Sequence, residues 1–239
     1  MKINVVTRCM RKVLPLKRCG AVIVAAGSAS RMCGIDKVMA EIGGEPMIVK
    51  TVRAFQNCDA ISEIVIVTRQ DLLHTVMSLC AEFEKVRGVV VGGTTRQDSV
   101  EAGISTLSKN VKLVAVHDGA RPFVSVSLID RVVRAANTYH AAVPVVPVKD
   151  TIKLVQGGIV KSTPDRSKLN AIQTPQVFDY DILCAALMKV RVDELQVTDD
   201  SSAVEYLGFT VKTVEGDERN LKVTTPVDLR FAEILLEEQ

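Results

Sequence analysis

Three stretches of this chain combine small residues, cations and an acid at spacings suited to gripping a phosphorylated ligand. The first is GAVIVAAGSASRM (residues 20–32), with Lys37 just beyond it. It reads as a buried strand running into a loop of Ala, Gly and Ser. Such a loop lets backbone N–H groups approach phosphate oxygens, and Arg31 and Lys37 add fixed positive charge. The second is GGTTRQDSV (92–100), where Gly93 and Ser99 lie between a strand end and a helix whose first turn holds an Arg. The third is HDGARPF (117–123). It sets Asp118 at a strand end with Arg121 three residues on, an arrangement suited to a divalent cation and the phosphates it bridges.

Each stretch also has a purely structural reading. Residues 20–37 equally describe a strand-to-helix turn with two solvated cations, and GGTTRQDSV a turn in which Asp98 or Ser99 caps a helix. Asp118 and Arg121 equally form a pair that stiffens a turn, and an exposed pair of that kind stabilises little. Thr198-Asp199-Asp200 invites a metal reading, although acids at a helix N-terminus are favoured by capping alone. Lys222 taken alone is a solvated lysine. His117 is expected to pack beneath its strand end rather than act as a base, and His74 to sit on a helix surface.

The elements that must hold these residues follow from hydrophobic pattern and punctuation. Strands are expected at 61–68, 86–91, 112–117 and 209–214, besides the first. Helices are expected from Met47 to Phe55 with Pro46 as an early helical residue, from 71 to 84, from a Ser127 cap to about Tyr139, from 179 to 190, after Thr198 to Leu207, and from Pro226 to Leu236. Pro144 and Pro147 argue that residues 141–148 form an edge strand or departing arm. Residues 150–161 read as a hairpin turning at Gly157-Gly158, and 166–178 as irregular. Near-continuous aliphatic strands alternating with helices make an α/β fold with a mostly parallel central sheet, helices on both faces and a protruding β-arm at about 144–166. In such sheets ligands sit outside the strand carboxyl ends, where all three stretches lie.

Composition narrows the function. The chain has 239 residues, 47% of them apolar, and no run of membrane-spanning length, so a membrane protein is not expected. Net charge is +2, yet six cations and no acids fall in the first 18 residues, which leaves −4 for the rest. The basic charge is therefore a tail and not a face, and with only 4% aromatic residues nucleic acid is an unsuited partner. Residues 1–19 read as a loosely attached extension or the product of an upstream start, and 20–239 as one domain. The six cysteines show no metal or redox spacing, consistent with a reduced, cytoplasmic protein, and Cys33 reads as a bystander thiol in the first loop.

Gly-x-x-x-x-Gly-Lys-Ser/Thr, Gly-x-Gly-x-x-Gly and Gly-x-Ser-x-Gly are all absent. What remains is a cradle with cations, a metal-capable Asp and no evident nucleophile, which suits nucleotidyl transfer by direct displacement. An attacking phosphate monoester is already largely dianionic at neutral pH, so no general base is required.

Taken together, AAG with Arg31-Met32 and Lys37, GGTTRQDSV, HDGARPF, DTIK, QTPQVF, TDDSSAVEYLG and LKVTTPVDL resemble, in order, the 2-C-methyl-D-erythritol 4-phosphate cytidylyltransferase family. The resemblance runs from Gly20 to the end of the chain. It implies a Rossmann-like nucleotidyltransferase domain, a homodimer interlocked through the β-arm, and a Mg²⁺-dependent reaction of CTP with a sugar-alcohol phosphate that releases diphosphate. Carried over by motif, Ala25, Ala26, Gly27, Gly93 and Ser99 would contact the nucleotide, and Arg31 and Lys37 would stabilise the α-phosphate in the transition state. Asp118 would hold Mg²⁺ or ribose. Lys222, Arg121, Thr151, Arg166, Thr174 and Thr198 would surround the acceptor, with Lys222 counted among the catalytic residues and Thr151 and Arg166 reaching toward a partner's site.

The chain departs from the family pattern at Ala29, at Asp36 beside Lys37, and in one extra residue before that Lys. No second fused enzyme is expected. Two other functions fit these motifs: a cytidylyltransferase for ribitol 5-phosphate or a related polyol phosphate, and a non-catalytic nucleotide-binding module.

Overall fold

The computed structural model describes residues 15–27 and 38–237. The sheet is built around β1 (Cys19–Val24), β4 (Ile61–Thr68), β5 (Val86–Val91) and β6 (Leu113–Asp118), all parallel, in the order β5-β4-β1-β6. Central placement explains the aliphatic runs of β1, β4 and β6, whereas β5 is an edge strand and none of its residues is fully buried. Side chains of β1 alternate between two apolar layers. Ala21 and Ile23 join the layer of α1 (Met47–Gln56), α2 (Leu73–Leu79) and α4 (Val126–Tyr139); Val22 joins that of α3 (Arg96–Thr106), α5 (Tyr180–Val192) and α6 (Asp200–Tyr206). A short hairpin of β2 (Glu41–Ile42) and β3 (Glu45–Pro46) packs with α7 (Pro226–Glu237) around Ile42, Met47 and Ala232.

Beyond β6 the sheet departs from the expected pattern. The segment 166–178, expected to be irregular, contributes β10 (Asn170–Ile172) and β11 (Gln176–Asp179), which run antiparallel to the other described strands of this sheet. Between them the pairing with β7 (Ala141–Pro147) slips by two residues, leaving a bulge at 173–175. β7 is not an edge strand: β10 and β11 line one side of it and β12 (Lys212–Glu215) pairs in parallel on the other. Pro144 is tolerated there because its backbone faces the bulge. Its carbonyl accepts from the Gln173 N–H at 2.9 Å where the ladder is already broken, so its missing N–H forfeits no regular rung.

Smaller corrections have local causes. Pro46 stands at the N-cap of α1 and not within its first turn. Ser125, not Ser127, caps α4, its hydroxyl accepting from the Leu128 N–H at 3.2 Å. The expected helix 71–84 is α-helical only over α2, where Val76 alone is buried, and the last strand begins at Lys212 rather than Phe209. The arm starts after Pro147. It carries β8 (Leu154–Gln156) and β9 (Ile159–Ser162), joined by Gly157 and Gly158 at φ +57° and +75°, the left-handed turn that glycine allows. Of the basic segment, Lys17 and Arg18 are anchored: Lys17 Nζ lies 2.9 Å from Asp179, and the Arg18 carbonyl accepts from Lys112 and Leu113.

Candidate active site

The parallel strands deliver their carboxyl ends to one level. Ala25 N–H donates to the Val67 carbonyl at 2.7 Å, Gly92 N–H to Thr68 at 2.8 Å and Gly119 N–H to Val24 at 2.8 Å, so the loops after β1, β5 and β6 leave the sheet side by side. A Cβ on Gly92 would stand 2.6 Å from both the Ala26 Cβ and the Ser99 Oγ, so glycine there allows the first two loops to close on each other. Thr95 caps α3 in a reciprocal box with Asp98, at 3.0 Å in both directions. The cap is thus one residue before the helix, and Asp98 is its third-position partner rather than the cap.

The loops enclose a cavity of about 380 Å³ lined by Val24 to Gly27, Gly93 to Arg96, Ser99, Asp118, Ala120 and Lys222. Lys222 arrives on the loop after β12, pinned where Val223 N–H donates to the Ala120 carbonyl at 2.9 Å. Three cations surround Asp118: Lys222 Nζ at 2.9 Å, Arg121 Nε at 3.6 Å and Arg96 Nη2 at 3.8 Å. Burial opposes ionisation of this carboxyl, but Lys222, Arg96 and Arg121 outweigh it and lower its pKa to about 2. Arg96 is also paired with Asp200 at 2.8 Å, so three cations face two carboxylates and the floor keeps an excess positive charge suited to a polyanion. Beneath it, His117 is fully buried against the Phe55 ring, with Nδ1 3.0 Å from Thr174 Oγ1; burial lowers its pKa to about 3, which keeps it neutral.

The model of the family "2-C-methyl-D-erythritol 4-phosphate cytidylyltransferase" matches residues 19–238. The chain belongs to this family. It is a nucleotidyltransferase. Proteins named as that cytidylyltransferase from Symbiobacterium thermophilum and Caldanaerobacter subterraneus are 44% and 43% identical, the alignments covering 91% and 90% of this chain and 92% and 97% of theirs. A crystal structure of 4-diphosphocytidyl-2C-methyl-D-erythritol synthase from Anaerococcus prevotii superposes with TM-score 0.84 at 33% identity, over 92% of this chain and 96% of that one. One of the cytidylyltransferase from Thermus thermophilus gives 0.74 at 34%, over 92% and 99%. The mostly parallel α/β sheet expected from the sequence is the fold of these cytidylyltransferases.

Of the residues carried over by motif, Ala25, Ala26, Gly27, Gly93, Ser99, Asp118 and Lys222 meet in the one cavity. Arg121 lies beside Asp118 and also donates to the Asn220 carbonyl at 2.7 Å. Thr174 is buried behind the site, where its Oγ1 accepts from the Asp118 N–H at 3.1 Å. Thr198 is exposed at the start of α6, and Thr151 is exposed on the arm. Arg166 lines a separate depression with Lys149 and donates to the Lys149 carbonyl at 2.6 Å. Arg31, Lys37, Cys33, Ala29 and Asp36 lie outside the described residues. Arg96, Thr94 and Thr95 line the cavity without having been singled out; Arg96 was visible in GGTTRQDSV, but the buried carboxylate it pairs with, Asp200 at 2.8 Å, is brought to it by α6. No cluster of three or more His, Cys, Asp or Glu able to hold a metal occurs among the described residues, and Asp199 accepts from the Ser202 N–H at 3.1 Å as the cap of α6.

Proposed function

We propose that this cavity binds CTP and transfers its cytidylyl group to 2-C-methyl-D-erythritol 4-phosphate, releasing diphosphate, in the non-mevalonate route to isoprenoid precursors. That reaction is the family's, and membership favours it over a ribitol phosphate cytidylyltransferase or a non-catalytic module. The observation that carries the reading is the Asp118 floor, ringed by Lys222, Arg96 and Arg121 at the mouth of a glycine-lined cavity. Backbone N–H groups of Ala26, Gly27 and Gly93, with Ser99 and the wall formed by Ala25, bind and orient the nucleotide. Lys222 stands between this cavity and a second one of about 340 Å³ shared with Arg121 and Lys149, where the acceptor phosphate is placed. The acceptor oxygen attacks the α-phosphorus as the bond to diphosphate breaks. Lys222, with Arg31 and Lys37, neutralises the charge that builds on the phosphoryl oxygens, and no proton need be removed.

Asp118 fits a Mg²⁺ ligand. That ion keeps most of its waters and is held through one or two carboxylates plus substrate phosphates, and among the described residues Asp118 Oδ1 has only Arg96, 3.8 Å away, as an ion-pair partner. Bound Mg²⁺ supplies charge neutralisation on the phosphates. Thr151 and Arg166 complete the acceptor site of a partner subunit. The apolar arm supports that dimer, for Leu154, Val155, Ile159 and Val160 are each more than half exposed. No helix among the described residues is long and apolar enough to cross a membrane. The test is diphosphate release from CTP and Mg²⁺ with each acceptor: turnover is expected with 2-C-methyl-D-erythritol 4-phosphate, and a preference for ribitol 5-phosphate overturns the assignment.

A further inference from the structure

The sequence left open whether Thr198-Asp199-Asp200 binds a metal or caps a helix. Asp199 does the capping, and Asp200 turns the other way. Its carboxylate is 2% exposed and meets Arg96 Nη1 at 2.8 Å, while Nη2 of the same guanidinium points at Asp118 Oδ1, 3.8 Å away. Asp200 is held from behind by Gln176 on β11, itself 1% exposed. The amide oxygen of Gln176 accepts from the Ser201 N–H at 3.0 Å, and its amide nitrogen donates to Asp199 Oδ2 at 2.7 Å. A clamp buried in the sheet thus fixes the start of α6, α6 fixes the carboxylate, and the carboxylate fixes an arginine in the nucleotide cavity.

Such a pair is a poor device for stability, because taking the Asp200 charge fully and the Arg96 charge partly from water offsets much of their attraction. This pair makes better sense as a positioning element. An arginine on the first residue of a helix has many rotamers, and one tied to a buried carboxylate has few, so less entropy is lost when the other face of its fork meets an anion. Only the pairing with Asp200 has a close contact. The 3.8 Å gap to Asp118 leaves Nη2 available to a ligand.

We propose that Asp200 is a positioning residue for nucleotide binding: it holds Arg96 in the orientation that engages the triphosphate of CTP. The proposal rests on the CTP reading of the cavity. It goes further in giving work to two residues that the motif comparison leaves without a role.

The alternative is that the pair merely ties α6 to α3, which would alter stability and leave ligand affinity alone. Titration calorimetry with CTP separates the two. Asp200→Asn should weaken CTP binding about tenfold, while kcat at saturating CTP changes less than about threefold. Arg96→Ala should weaken binding at least as much. The double variant should bind no worse than Arg96→Ala alone, because Asp200 acts only through Arg96. Asp200→Glu should recover part of the loss. If Asp200→Asn does not fold, Arg96→Lys serves in its place: the charge is kept, but one ammonium cannot satisfy Asp200 and the ligand together, and CTP affinity should again fall about tenfold. CTP affinity within twofold of the parent in Asp200→Asn, or additive losses in the double variant, overturns the proposal. Failure of the parent protein to bind CTP would instead overturn the nucleotide reading itself.

Discussion

The cradle and the arm are built from opposite physics. At the cradle, strands β1, β4 and β6 are buried almost throughout, and Asp118 at the end of β6 meets Arg121 from the same loop, Arg96 from α3 and Lys222 from the loop after β12. On the arm every residue of β8 and β9 is exposed, the hairpin pairs only with itself, and Arg166 at its base is tied to a backbone carbonyl of its own neighbourhood. Among the described residues, the walls of the cradle come from several elements of one chain, whereas the apolar side chains of the arm stand exposed. On the proposed reading, the nucleotide half of the reaction is a property of the fold and the acceptor half a property of assembly.

The largest effect should come from breaking the cradle's charge. Lys222→Met removes the cation nearest Asp118 and the one shared by both cavities, and turnover should fall by about 10²–10³, with the melting temperature little changed. A rate within about tenfold of the parent would mean that Lys222 only decorates the rim.

Next in size is the acid response of the cradle's buried support. His117 has a folded-state pKa of about 3, far below an ordinary histidine, because burial disfavours the imidazolium. The unfolded chain takes up this proton below about pH 6.5 and the folded chain does not until about pH 3. Stability is therefore full above that upper value and is lost as pH falls toward the lower one, at up to about 1.4 kcal/mol per pH unit. Asp118, lowered to about 2, adds its own loss only below about pH 4. Urea unfolding between pH 7 and pH 4 should show this slope in the parent and a flatter one in His117→Gln. Equal slopes would assign the acid sensitivity elsewhere, since His74 and His140 are exposed.

These two regions also differ in how far they could be read beforehand. Strands β4 and β5 fell where the aliphatic runs put them, and seven of the expected site residues share one cavity, because a buried parallel strand and its small-residue loop are written locally. What escaped depends on distant partners. Arg96 is an ordinary helix-opening arginine until Asp200 is placed beside it, and Pro144 argues against an inner strand until its backbone is seen to face the bulge at 173–175, where no regular rung calls for its N–H. The stretch 166–178 looked irregular because its two strand pieces are three and four residues long, too short for periodicity to register.

The arm can be tested without disturbing the cradle. Arg166→Ala should raise KM for the sugar phosphate about tenfold and leave that for CTP unchanged. If Arg166 serves the partner, mixed dimers made by co-expressing Arg166→Ala and Lys222→Met subunits should recover one working site, with both lesions falling on the other. Activity no greater than the sum of the two separate variants would place Arg166 in its own subunit's site.

The smallest effect sharpens the contrast most directly, because it sets two lysine–carboxylate contacts side by side. Lys149 Nζ lies 2.5 Å from Glu218, closer than Lys222 lies to Asp118, yet its side chains are 72% and 62% exposed. Solvent screens such a pair, and ordering two long side chains offsets most of what attraction remains. Glu218→Gln should then shift stability by less than about 0.5 kcal/mol and leave kcat for CTP unchanged, with any effect vanishing in high salt. A larger, salt-resistant loss would mean that the base of the arm is drier in the assembled enzyme than in the single chain, and would make Lys149 and Glu218 part of the buried contact between subunits.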